Sequence, residues 1–165
     1  MAGQGTILHP HSNAGDGKRI AIVAARWHED IVRAMLDSCM STLVSCGTKA
    51  RDIEVKHVPG TFEIPVAVAA LIHTHRFDAI ISLGVVVRGE TAHFEYVAGP
   101  VAYALQNLSV LHGIPCIFGV LTTETVEQAL ERAGGAHGNK GSESAYVALE
   151  MASIIHEIQT GRHHA

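Results

Sequence analysis

The chain has 165 residues, with 12 Lys and Arg against 16 Asp and Glu, a formal charge of −4 with histidine neutral. That length suits one domain with a continuous core that needs no covalent staples. Scattered cations on an acidic chain exclude the clustered basic face of a nucleic-acid binder. Hydrophobic residues make up 47% and charged residues 17%. So apolar a chain hints at surface buried against partners, although an α/β core alone can require it.

Residues 1–17 are rich in Gly, His, Ser and Asn and read as an irregular or extended arm. Arg19–Ala24 reads as a buried strand. From His28 to Ser45 the apolar residues Ile31, Val32, Met35, Leu36, Met40, Leu43 and Val44 recur at helical spacing, and Gly47 caps the helix. Ile53–Val58 alternates and reads as a second strand. Phe62–His75 is a helix, with Pro65 tolerated in its first turn. The mostly apolar run Ala79–Val87 reads as a central strand buried on both faces. Thr91–Leu111 is a long helix ended by Gly113-Ile114-Pro115. Pro100 lies inside it and removes the usual partner of the Tyr96 carbonyl, so a kink is expected. Cys116–Val120 is a fourth strand, Thr123–Ala133 a short helix stopped by Gly134-Gly135, and Lys140–Gln159 the last helix.

This alternation argues for an α/β three-layer sandwich: a four-stranded parallel sheet with helices on both faces and an N-terminal arm. The divisions are an arm over 1–18, one domain over 19–160 and a tail over 161–165. The three cysteines, Cys39, Cys46 and Cys116, form no Cys-x-x-Cys and read as reduced, mostly buried thiols of a cytoplasmic protein. No secretory leader and no membrane-spanning run is expected. The twelve histidines are dispersed and make no four-ligand zinc pattern, so no metal is expected.

Ligands of such sheets sit beyond the C-terminal ends of the strands. After the first strand, Trp27 is either a core or helix-start aromatic or a flat face on which a heterocycle stacks. After the second, Pro59-Gly60 make a tight turn that leaves the N–H groups of Thr61 and Phe62 free at a helix start. Glu63 there also complements the helix dipole, which alone would explain it. After the third, Gly89 permits close backbone approach, and the N–H groups of Glu90 and Thr91 open a helix suited to a phosphate. His93, in the first turn, is either an exposed helical histidine or a proton shuttle near that anion. After the fourth, Thr123 reads as a helix cap and Glu124 as first-turn acid; Phe118 lines a pocket or fills the core. Arg132 and Lys140 are either solvated cations, Arg132 at a helix C-terminus, or a clamp on phosphate. Neither Gly-x-Gly-x-x-Gly after the first strand nor a Gly-Lys-Ser/Thr loop occurs. From the residues alone this supports a small phosphorylated substrate and acid/base chemistry.

Four blocks carry a more specific signal: VPGTFEIP (Val58–Pro65), LGVVVRGETAHFEYV (Leu83–Val97), FGVLTTET (Phe118–Thr125) and EQALERAGGAHGNKG (Glu127–Gly141). In this order they resemble the lumazine synthase family, from about Arg19 to the last helix. The resemblance implies a transferase that condenses 5-amino-6-(D-ribitylamino)uracil with 3,4-dihydroxy-2-butanone 4-phosphate. The product is 6,7-dimethyl-8-ribityllumazine, the penultimate compound of riboflavin biosynthesis, and phosphate and water are released without a cofactor.

By the same resemblance, His93 is the catalytic proton-transfer residue. Trp27 stands where the family places a stacking aromatic, often Phe. Thr61, Phe62 and Glu63 hold the ribityl chain and ring, and Val86 and Val87 read the pyrimidine edge. Gly89, Glu90, Thr91 and Arg132 bind phosphate. Phe118 and Lys140 join Arg132 as contributions from a neighbouring subunit. Cyclic pentamers are implied, in some members closing into an icosahedral shell of about sixty copies, with riboflavin synthase as a further partner. The short segment Gly134–Gly141 resembles the shell-forming type, while His9-Pro10 would disturb an edge strand added by the arm. The alternative reading is a catalytically weak relative that binds lumazine or flavin or only builds a shell. Nucleic acid and membrane are not expected as partners.

Overall fold

In the computed structural model, which describes residues 12–161, the short apolar runs become parallel strands and the amphipathic stretches become helices laid against them. In chain order these are β1 (Ile20–Ala25), α1 (Glu29–Ser45), β2 (Ile53–Val58), α2 (Ile64–Ile72), β3 (Ala79–Val87), α3 (His93–His112), β4 (Cys116–Thr123) and α4 (Val126–Glu131). A small hairpin comes next, β5 (Ala133–Gly135) with β6 (Gly138–Asn139), and then α5 (Lys140–Thr160). Four strands form one parallel sheet in the order β2-β1-β3-β4.

Alternate side chains of a strand point to opposite faces, and both faces here are covered. Ile20, Ile22 and Ala24 of β1 join Ile81, Leu83 and Val85 of β3 in a core shared with α1 and α5. Ala21, Val23 and Ala25 join Ile80 and Val86 in a second core shared with α2 and α3. All six residues of β1 are buried, which is why its text is apolar without alternation. Glycine sets the closest contact on the α1/α5 side. A Cβ on Gly141 would lie 1.8 Å from the Met35 carbonyl oxygen, so α5 can approach α1 only with hydrogen at that position.

β4 runs to Thr123 rather than Val120, because Leu121, Thr122 and Thr123 continue the pairing with Val85, Val86 and Val87. The helix cap therefore moves: Thr125, not Thr123, accepts the Gln128 N–H, and α4 starts at Val126. Glu124 lies before that helix. The predicted helix over Thr123–Ala133 shortens to Val126–Glu131, and the glycines that stop it form the β5–β6 hairpin. Gly134 and Gly138 have positive φ there, which glycine adopts at little cost. α3 begins at His93, two residues later than predicted, and runs unbroken through Pro100. Tyr96 and Pro100 are both exposed, so water can satisfy the carbonyl that loses its partner.

Ser12–Gly17 form turns, and the Gly15 N–H donates to the Cys46 carbonyl at 2.7 Å. The arm's His9-Pro10 lies outside the described residues. Cys39, Cys46 and Cys116 are free thiols, and burial pushes Cys39 up to about 12 and Cys116 to about 11. Among the described residues no helix is long and apolar enough to cross a membrane.

Candidate active site

In the sheet order β2-β1-β3-β4 the connection from β1 goes to one side and the strand after α2 returns on the other. That makes a switch point beside β1, where open α/β sheets take ligands beyond the strand ends. A cleft of about 700 Å³ opens there. Its walls come from the segments after β1 and β2, from the end of β3 and from the first turns of α3: Trp27 and His28, Pro59–Glu63, Val85–Val87, and His93, Tyr96 and Val97.

Local chemistry explains each wall. β1 delivers the chain to Trp27, which is 72% exposed, so it is neither a core aromatic nor a packed staple. His28 then turns the chain into α1 with a left-handed backbone, φ 56°, and its carbonyl accepts from the N–H groups of Ile31 and Val32. After β2, Thr61–Glu63 form a single 3-10 turn ahead of α2. Thr61 is buried and its hydroxyl donates to the Val85 carbonyl at 3.3 Å. Gly84 makes this possible, because a Cβ there would lie 2.7 Å from the Thr61 Oγ1. The turn is thereby seated on β3, and Phe62, 59% exposed, faces out beside it. Gly60 is extended, and Glu63 Oε2 lies 3.0 Å from where its Cβ would stand, so the carboxylate folds back over the turn.

Val86 and Val87 end β3 on the cleft floor, and His93 opens α3 on the far wall, exposed to solvent. Gly89, Glu90 and Thr91 do not line the cleft but form the exposed loop between these two walls. Because α3 starts at His93, the N–H groups of Glu90 and Thr91 precede the helix instead of opening it. Thr91 Oγ1 takes the His93 N–H at 3.4 Å. An anion here would meet loop amides next to the positive end of α3 rather than its first turn.

The remaining candidates lie elsewhere. Phe118, in mid-strand on β4, is partly buried against the α2/α3 core. Arg132 caps α4, donating from Nη1 to the Gln128 carbonyl at 2.9 Å. Lys140 opens α5 and pairs with Glu143 at 3.2 Å. The Lys140 N–H donates to the Arg132 carbonyl at 2.8 Å, so the β5–β6 hairpin brings these two cations together at its base. Within one chain, none of the three lines the cleft.

Sequence reasoning passed over Tyr96, Val97, His28 and Val85. Tyr96 had a readable signal, since it lies one helical turn after His93 and shares its side. It also passed over the role of Arg88 at the cleft's edge. The Arg88 guanidinium pairs with Glu95 and, at 2.8 Å, with Glu124, and stacks 4.1 Å from the Phe94 ring centroid. These hydrogen bonds hold the Glu95 carboxyl below its usual range and raise Arg88. No sequence spacing announces that set, because Glu124 comes from a different strand end. Among the described residues no group of His, Cys, Asp and Glu stands close enough to hold a metal ion.

Residues 17–156 match the sequence model of the 6,7-dimethyl-8-ribityllumazine synthase family, a stretch that contains every candidate residue. The chain is 48% identical over 140 residues to the 6,7-dimethyl-8-ribityllumazine synthase of Porphyromonas gingivalis, covering 85% of this chain and 87% of that protein. It is 44% identical over 144 residues to the protein of the same name from Desulfotalea psychrophila, covering 87% and 93%. The chain belongs to the 6,7-dimethyl-8-ribityllumazine synthase family.

Proposed function

We infer that this chain is the transferase that joins 5-amino-6-(D-ribitylamino)uracil to 3,4-dihydroxy-2-butanone 4-phosphate, forming 6,7-dimethyl-8-ribityllumazine. Family membership over residues 17–156 supports the reaction. The observation that carries it to a place is the single cleft lined by Trp27, Thr61, Phe62, Glu63, Val86, Val87 and His93, which arrive from three separate strand ends.

The roles rest on the chemistry each group offers. Trp27 and Phe62 present exposed aromatic faces between which a flat pyrimidine stacks. The backbone of Val86 and Val87 reads its edge, and Glu63 with the Thr61–Phe62 turn takes the hydroxyl-rich ribityl chain. Gly89, Glu90 and Thr91 receive the phosphate. The amine attacks the ketone and an imine forms with loss of water. Phosphate leaves by elimination, and the resulting enol becomes a ketone. The ribityl-bearing nitrogen then closes the ring, again with loss of water. Each step moves protons, and the imidazole of His93, which stands next to the loop assigned to the phosphate, carries them. Holding two reactants in register supplies a further large part of the rate.

Phe118, Arg132 and Lys140 act from a second copy of the chain, in a pentamer whose adjacent members share each site. What supports this is their position outside the cleft, together with apolar side chains left open on α2 and α3. Val66, Tyr103, Val110 and Leu111 are each at least 70% exposed, large apolar side chains of the kind a second copy would cover. The short β5–β6 hairpin suits further closure into a shell. The arm over 1–18 and the tail over 161–165 flank one domain, and the enzyme works in the cytoplasm.

The test is to mix the purified chain with both substrates and follow lumazine fluorescence above the uncatalysed rate. Turnover that saturates in both substrates is the expected result. Bound chromophore with a rate no better than background would replace this reading with the weakly catalytic, lumazine-binding one.

A further inference from the structure

We propose that Arg88 is a positioning residue for this reaction: its guanidinium clasps the first turn of α3 to the ends of β3 and β4 and so sets where His93 stands across the cleft. The inference rests on the functional reading above, but its geometry is independent of that reading. The Arg88 N–H donates to the Thr123 carbonyl at 2.9 Å, which continues the β3–β4 ladder one residue past the sheet and fixes the base of the side chain. From there the planar fork reaches two carboxylates at once. Nη1 bonds Glu95, in the first turn of α3, and Nε bonds Glu124, just beyond β4. The same plane lies over the Phe94 ring, 4.1 Å from its centroid. One side chain therefore ties three segments, and two of the residues it holds, Phe94 and Glu95, come directly after His93.

The stretch between clasp and helix has little else to hold it. Gly89–Ala92 is exposed throughout. A Cβ on Gly89 would meet no atom within 4 Å, and the loop's bonds to the helix are the long one from the His93 N–H to Thr91 Oγ1 and the Glu95 N–H to the Ala92 carbonyl at 3.1 Å. The body of α3 is anchored further along, by Val97, Ala98, Val101 and Leu105 in the core. Losing the clasp would leave that body seated, with Phe94 still packed against the same core, and would loosen the exposed loop and the polar side of the first turn. Exposed ion pairs add little to overall stability, so the effect falls on position rather than on folding. Proton transfer is sensitive to position, and a misplacement of about 1 Å can cost about a hundredfold in rate. Lysine would not substitute, because a point charge cannot reproduce two directed bonds and a stacked plane.

The test compares Arg88→Met, Arg88→Lys, His93→Ala and the double variant Arg88→Met/His93→Ala in steady-state kinetics. Thermal unfolding and amide hydrogen exchange at residues 89–95 are measured on the same proteins. The expected result for Arg88→Met is a kcat about tenfold lower, with an unchanged KM for the pyrimidine diamine and a nearly unchanged Tm. Exchange at 89–95 should be about tenfold faster, and Arg88→Lys should rescue little. Because Arg88 acts through His93, the double variant should be no slower than His93→Ala alone. Losses that add in the double variant would overturn the proposal, as would unaltered exchange at 89–95. Should the wild-type chain make no lumazine, the functional reading fails, and the exchange result still decides the clasp.

Discussion

The end of the sheet above β1, β2 and β3 and the stretch from α4 into α5 contribute to the proposed site in opposite ways. At the sheet end, three strand termini converge, so Trp27, the Thr61–Glu63 turn, Val86, Val87 and His93 meet in one cleft although 66 positions separate the first from the last. In the second region the chain is equally well ordered by its own bonds. Asn139 caps α5, the β5–β6 hairpin pairs Arg132 with Lys140, and Gly141 presses α5 onto α1. Yet those cations do not line the cleft at the sheet end. A parallel sheet gathers the segments that leave its strands, because all its strand ends share one edge. It does not gather residues at helix ends on another side. That is why the proposed function has this second region act on the site of another copy.

The sharpest way to break the second region is Gly141→Val. The new Cβ would meet the Met35 carbonyl oxygen, which is backbone and cannot swing aside. α5 would have to lift from α1, and the expected cost is at least about 3 kcal/mol, seen as a large fall in Tm or loss of folded protein. A wild-type Tm would mean that α5 does not pack there. The first region is broken by His93→Ala. That exposed side chain carries no packing, so Tm should stay within a degree or two while kcat falls by roughly a hundredfold or more and does not reach zero. Full rate would remove His93 from its role. Arg132→Ala sharpens the contrast with a smaller effect. KM for the sugar phosphate should rise about tenfold, since one charge-assisted contact is lost, while KM for the pyrimidine stays put. A selective rise in the pyrimidine KM would count against the proposed assignment.

The same contrast governs what could be read from the sequence. β2 and β3 were legible to the residue, because Ile53–Val58 alternates and Ala79–Val87 is apolar apart from Ser82 and buried on both faces. The end of β4 was not, since Leu121-Thr122-Thr123 looks like a turn until Val85–Val87 lie beside it. The hairpin was hidden for a related reason. Gly134-Gly135 reads as a helix stop, and only the partner Gly138-Asn139 makes it a strand. At the site, residues directly after a strand were legible as a group because sheet geometry assigns them to one edge. The Arg88–Glu95–Glu124 set was not, since it depends on where two strand ends stop relative to each other. Residue type offered Phe118 as a pocket wall and Arg132 and Lys140 as a phosphate clamp, but that they come from a neighbouring copy rested on resemblance alone, and nothing in a single folded chain replaces that warrant.

The most direct test is to assemble His93→Ala and Arg132→Ala chains together and compare the mixture with each variant alone. If each site takes His93 from one copy and Arg132 from the next, some sites in a mixed ring combine two intact contributors. The mixture should then regain a substantial fraction of wild-type turnover. Activity no higher than the average of the two separate variants, in rings shown to contain both, would contradict a site divided between copies.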